Sequence, residues 1–95
     1  MNLEFEWHAD KAASNEKKHG VTFEEAMTVF ADPLAVIFDD EEHSDDEPRE
    51  IIVGHSAQQR LLLISFTERG EAVRIISARR ATKRERKDYE ENSFP

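Results

Sequence analysis

The sequence predicts an α+β domain: an N-terminal strand and two helices, a four-stranded antiparallel sheet, and a C-terminal helix. Three observations point there. Segments with helix start and stop signals cluster in the first third of the chain and at its end. Four apolar segments of strand character follow one another between them. The chain has 95 residues, enough for one core and too few for a second.

LEFEW, Leu3 to Trp7, alternates apolar and acidic residues, the period of a strand that turns Leu3, Phe5 and Trp7 inward. HADKAASNEKKHG, His8 to Gly20, reads as a largely polar helix with Ala12 or Ala13 toward the core, a basic last turn and Gly20 in the C′ position. In VTFEEAMTVFADP, Val21 to Pro33, Thr22 is the N-cap and Glu25 completes a capping box worth about 1 kcal/mol. Phe23, Ala26, Met27 and Phe30 then share one face, and Asp32-Pro33 closes the helix. LAVIFD, Leu34 to Asp39, is a short strand, followed by an acidic loop bounded by Pro48. REIIVGHS, Arg49 to Ser56, is a strand whose Gly54 marks a bulge or a close backbone approach. After a turn at Ala57–Gln59, RLLLISFTERG, Arg60 to Gly70, is the most apolar run and hence the central strand. EAVRIISARRA, Glu71 to Ala81, pairs with it through a turn at Arg69-Gly70. Thr82 caps the closing helix TKRERKDYEEN, with Glu85 completing a second capping box, and residues 92–95 are a frayed tail.

The net charge of −8 argues against a protein that coats nucleic acid over its whole surface. The charge is unevenly placed. Asp39 to Glu50 carries eight acids and one base, whereas Arg69 to Lys87 carries eight bases and two acids. The absence of cysteine excludes disulfides and thiolate metal sites. No apolar stretch approaches the ~20 residues that span a bilayer and no signal-peptide pattern opens the chain, so a cytoplasmic protein without a membrane role is expected. No glycine-rich phosphate loop, HExxH or GxSxG occurs, and His8, His19, His43 and His55 lack metal-ligand spacing. Neither a metal nor a cofactor is expected.

The basic segment is interleaved with a strand. Without a bulge, Arg74, Ile76 and Ala78 share one face of VRIISAR, and Val73, Ile75, Ser77 and Arg79 the other. Arg79 then emerges beside Ser77, and Arg80, Lys83, Arg84, Arg86 and Lys87 continue onto a helix start whose N–H groups favour anions. This describes a ridge for a polyanion. The same residues also read as a solvated helix with Arg84–Asp88 and Lys87–Glu91 pairs. Tyr89 either packs on the sheet or offers a phosphate its hydroxyl. Lys18 and His19 end a helix, where the dipole favours cations; a histidine poised there could serve as acid or base, or simply cap the helix.

Together these residues resemble the BrnT family of bacterial toxins. The resemblance rests on FEWHADKAASNEKKHGVTFEEAMTVFADP, on PRE with IIVG, and on RLLLISFTERGEAVRIISARRATKRERKDYEE. It implies a RelE/ParE-like fold and a type II toxin: a metal-independent ribonuclease that arrests translation. It also implies a BrnA-like ribbon-helix-helix antitoxin encoded alongside, a heterotetramer of two toxins with two antitoxins, and contact with DNA only through the antitoxin. The corresponding site would use His19 as acid or base and Arg49, Arg74 and Arg79 to grip phosphate. Tyr89 would position it, and Lys18, Arg80, Lys83 and Arg84 would line the RNA path. A different class of function gives the same arginines: a non-catalytic module acting as co-repressor with the antitoxin. The family places an aspartate after the FEW strand where this chain has His8, which leaves the cap of the first helix to Asp10 or the chain start.

Overall fold

A computed structural model describes residues 3–43 and 47–92. In chain order the elements are β1 (Glu4–Glu6), α1 (Ala9–His19), α2 (Phe23–Val29), β2 (Val36–Asp39), β3 (Glu50–His55), β4 (Leu61–Arg69), β5 (Ala72–Arg80) and α3 (Lys83–Glu90), with a 3-10 turn at Glu41–His43. The frayed tail expected at 92–95 lies outside the described residues except for Asn92.

The strands form one five-stranded sheet in the order β1-β5-β4-β3-β2. β2 to β5 pair antiparallel as expected. β1 lies parallel to β5, with Glu4 opposite Ala72 and Glu6 opposite Arg74. The expected four-stranded antiparallel, RelE/ParE-like sheet is therefore a five-stranded mixed one. Alternation in LEFEW identifies a strand but carries no information about its neighbour. The outer edge of β5 needs backbone partners, and β1 supplies them for its first half.

One face of the sheet is the core. Val21, Phe23, Ala26 and Val29 pack there on Ile52, Leu62, Ile64, Phe66, Val73, Ile75 and Ala78, all buried. Phe30 stands edge-on between Phe5 and Phe66, each ring centroid 5.1 Å away, and Trp7 meets Phe23 at 5.8 Å. Leu3, expected inward, precedes β1 and is half exposed.

A bulge changes the parity of β5. Ser65 lies opposite Ser77 but Phe66 lies opposite Ile75, so Ile76 is the extra residue. Val73, Ile75 and Ala78 are buried as a result, and the unbulged grouping of Arg74, Ile76 and Ala78 does not form. Among the described residues, β5 has no further strand on its outer side beyond Arg74. Asn15 of α1 substitutes for one. Its Oδ1 accepts from Ala78 N–H at 3.0 Å, and its Nδ2 donates to the carbonyls of Ala78 at 2.8 Å and Val21 at 3.0 Å. The side chain is buried, so these bonds satisfy groups that would otherwise be orphaned.

The caps are partly as the sequence predicts. Gly20 ends α1 with φ 69°, and His8 itself caps the start, Nδ1 accepting from Asp10 N–H at 3.2 Å. Asp10 does not perform that task, and residues 1–2 of the chain start lie outside the described residues. Thr22 Oγ1 accepts from Glu25 N–H at 3.0 Å, but the Glu25 carboxylate does not return to the cap. It accepts instead from Arg60 Nε at 2.9 Å, from Arg60 Nη2, and from Ser56 Oγ at 2.7 Å. A guanidinium is a stronger donor to a buried carboxylate than a neutral N–H. Arg60 also donates to Gly20 O at 3.1 Å, tying the α1–α2 turn to the β3–β4 turn.

Gly54 marks a close approach, not a bulge, since the β3–β4 register runs through it unbroken. A Cβ there would lie 2.8 Å from Ala35 Cβ and 2.9 Å from Asp32 Oδ2. Asp32 closes the loop over β3, accepting from Leu34 N–H at 2.9 Å and His55 N–H at 2.8 Å. Gly54→Ala should therefore lower stability by about 1–3 kcal/mol through overpacking. Urea unfolding checks this, and an unchanged midpoint would contradict the packing described.

Candidate nucleic-acid interface

The candidate residues stand in three places around β5. On one side, Lys18 and His19 line a shallow hollow with Lys11, Ser14, Asn15, Ile76 and Ser77. The Asn15 bonds hold α1 at this point of the strand, so the last helical turn carries its two cationic residues to the strand edge beside Ser77.

Arg79 lies two residues past Ser77, on the same face of the strand. It lies opposite Leu63 on β4, and the same alternation of β4 carries Leu61, which faces His55 of β3. Both guanidinium nitrogens are engaged by Glu85, Nη1 to Oε1 at 2.7 Å and Nη2 to Oε2 at 2.8 Å. Glu85 also completes the α3 capping box, accepting from Thr82 N–H at 2.9 Å while its own N–H donates to Thr82 Oγ1 at 3.1 Å. The hydrogen bond from Arg79, against the cost of burial and helped by Thr82, pulls the Glu85 carboxyl down to about 2. The anion that this helix start and Arg79 prefer is thus supplied by the chain itself.

Tyr89 lies one turn on from Glu85 along the same side of α3. Its hydroxyl donates to Leu34 O at 3.2 Å, and its ring stands edge-on to His55, 5.7 Å between centroids. Burial, then the nearby Asp32 charge, raise its pKa. Burial works to raise Asp32 as well, but the N–H groups of His55 and Leu34 outweigh it and hold the carboxyl below its ordinary value. His55 Nδ1 lies 4.0 Å from Asp32 Oδ2 and the imidazole is 43% exposed. The sequence reading passed over this Asp32–His55–Tyr89 grouping. The signal available was Gly54, whose missing side chain lets the Asp32 loop reach β3.

Arg74 is paired with Glu6, Nε to Oε2 at 3.0 Å, and lies opposite Thr67. It is five residues from Arg79, roughly 16 Å along an extended strand. Arg49 precedes β3 at that same distant end, its carbonyl accepting from Asp40 N–H at 2.9 Å. Arg80 ends β5 exposed, close enough to Glu25 to help lower that carboxyl, which the Arg60 hydrogen bond lowers most. Lys83, Arg84 and Lys87 border an open groove on α3 with Asp88 and Glu91. Among the described residues neither Arg84–Asp88 nor Lys87–Glu91 closes to ion-pair distance. The candidates therefore do not share a single pocket. Lys18 and His19 stand at the outer edge of β5 beside Ser77, whereas Arg79, two residues on, is held by Glu85 of α3.

A family model described as the ribonuclease toxin BrnT of type II toxin-antitoxin systems matches residues 7–85. The chain belongs to the BrnT family. The structure is similar to the 1.1 Å crystal structure of the Brucella abortus ribonuclease toxin BrnT, with a TM-score of 0.68 over 86% of this chain and 100% of that one. The two are 21% identical, so this likeness concerns the fold. A search of curated proteins finds no match.

The BrnT match runs from Trp7 to Glu85 and so contains Lys18, His19, His55 and Arg79 but stops short of Tyr89. Among the described residues, no three His, Asp or Glu side chains come together closely enough to hold a metal ion, and no helix is long and apolar enough to cross a membrane.

The Arg79–Glu85 pair has a measurable consequence. A carboxyl at about 2 in the folded chain, against an ordinary 4.5, contributes stability that is present above 4.5 and is lost as pH falls toward 2. Because Arg79 is part-exposed, the contribution is on the order of 1 kcal/mol after solvent screening. Unfolding measured across that window should show Glu85→Gln less acid-sensitive than the parent; parallel curves would contradict the pairing.

Proposed function

We propose that this BrnT-family chain is an endoribonuclease toxin that cleaves RNA through the RNA's own 2′-hydroxyl, without a metal, and so arrests translation in the cytoplasm. The observation that carries the reading is the family match across residues 7–85, a span that includes the two cationic groups flanking the second half of β5. An RNA strand crossing that half of β5 meets Lys18 and His19 beside Ser77 and Arg79 two residues on.

In this mechanism His19 accepts the 2′-hydroxyl proton, and the resulting alkoxide attacks the adjacent phosphorus. Arg79 stabilises the charge gathering on the phosphorane oxygens. Phosphate must first displace Glu85 from the guanidinium, an exchange of one bidentate anion for another. Tyr89, its proton retained by burial, positions the phosphate or protonates the departing 5′ oxygen. Lys18, Arg80, Lys83 and Arg84 attract the flanking phosphates, and Arg49 and Arg74 meet RNA farther along the sheet. A BrnA-like ribbon-helix-helix antitoxin completes the system in a heterotetramer, and only that partner touches DNA.

One observation favours a second reading. Arg79 is already held by Glu85 in a two-bond pair, as it would be in a non-catalytic module that serves as co-repressor with its antitoxin. RNA incubated with the purified chain in the presence of a chelator separates the two. The nuclease reading predicts fragments ending in a 2′,3′-cyclic phosphate, with His19→Ala and Arg79→Ala each slowing cleavage by ~10²-fold, about 3 kcal/mol. Intact RNA together with tight capture of the neighbouring gene product would establish the module instead.

A further inference from the structure

β2 is an edge strand: among the described residues no strand pairs with its outer side. Such an edge presents backbone donors and acceptors in a row, a template for another strand. Its side chains are unusual for a solvent edge. Ile37 lies opposite Ile52 and so belongs to the core face, but α1 and α2 do not cover it and it is 53% exposed. Leu34, just before the strand, is 75% exposed.

The surroundings are acidic. Asp39 lies directly opposite Glu50, a cross-strand pair of like charges that destabilises a sheet. Glu50 faces Phe66, and Glu68 follows two residues along β4 on the same side. Burial, then the charges of Glu68 and Asp39, raise the Glu50 carboxyl. Glu41 and Glu42 border the same hollow beside Ile37 and Asp39. The sheet thus holds Asp39 and Glu50 together beside an exposed isoleucine, on an edge that no described strand pairs, at some cost to its own stability.

We propose that the outer edge of β2 docks an extended basic segment of a partner protein, which adds to the sheet as a sixth strand. Main-chain hydrogen bonds to β2 supply the pairing. Lysine or arginine on the added strand meets Asp39 and, one strand further in, Glu50, and an apolar side chain covers Ile37. The charge decides the occupant. RNA is repelled here, and a second copy of this chain would set Asp39 against like charge. β3 and β4 lie between this edge and the arginines of β5, and the docking does not draw on the nuclease reading.

A short peptide alternating lysine and valine is the probe, with glutamate and valine as its counterpart. Isothermal titration against the whole chain should detect the basic peptide and not the acidic one. Amide exchange within Val36–Asp39 should slow when the basic peptide is bound. Ile37→Lys with Asp39→Lys should weaken binding by at least tenfold, whereas Glu16→Lys with Glu24→Gln, the same charge change on exposed positions of α1 and α2, should leave it within about threefold. No binding, equal weakening by both variants, or unchanged exchange in β2 would overturn the proposal. So would protection of the same amides by an RNA oligonucleotide. A concentration-dependent dimer abolished by the β2 variant would assign the edge to a second copy of this chain instead.

Discussion

The amide of Asn15 is the contact on which the candidate site depends. β1 satisfies only the first half of the outer edge of β5, because it ends opposite Arg74. The second half would leave Ala78 with an unpaired N–H and carbonyl. Asn15 takes both, and gives its remaining donor to Val21, the first residue after the Gly20 turn. One side chain therefore fixes α1 against the strand, fixes the turn that follows, and sets where Lys18 and His19 stand along β5. No apolar residue of similar size could do this, since three backbone groups, the N–H and carbonyl of Ala78 and the carbonyl of Val21, would lose this partner.

The end of β5 is organised by charge. Glu85 is at once the capping acid of α3 and the counterion of Arg79, so the helix and the strand end are locked by one carboxylate. A phosphate that engages Arg79 competes with a group that also starts the helix. Binding a polyanion and loosening the first turn of α3 are consequently linked, and the arginine is pre-oriented by the acid it must release. Glu25 shows the same habit with a different result. Buried between Arg60 and Ser56, it joins the two turns that meet at the same end of the sheet.

Much of the fold was legible in the chain because the relevant signals are local. Thr82 with Glu85, Gly20 after a basic turn, Gly54 within an apolar strand and the four antiparallel strands are each announced within a few residues. What escaped is what depends on distant partners. LEFEW reads as a strand, but its parallel seat beside β5 is a property of the sheet. The bulge at Ile76 has no signature within VRIISAR, and it alone moves Ala78 under α1. Glu25 sits where a capping box wants it, yet Arg60, 35 residues away, claims its carboxylate. The basic residues were visible as a group, but sequence order could not show that His19 would stand beside Ser77 while Glu85 engages Arg79. Asp32 and His55 meet for a similar reason, across 23 residues, once Gly54 lets the loop close.

The most direct test of the Asn15 linkage is native-state hydrogen exchange at the Ala78 amide in the parent chain and in Asn15→Ala. The structure predicts that this amide is protected in the parent and exchanges far faster in the variant, with a loss of global stability of roughly 2–4 kcal/mol. An Ala78 amide equally protected in both chains, at unchanged stability, would mean that Asn15 does not hold α1 to the strand.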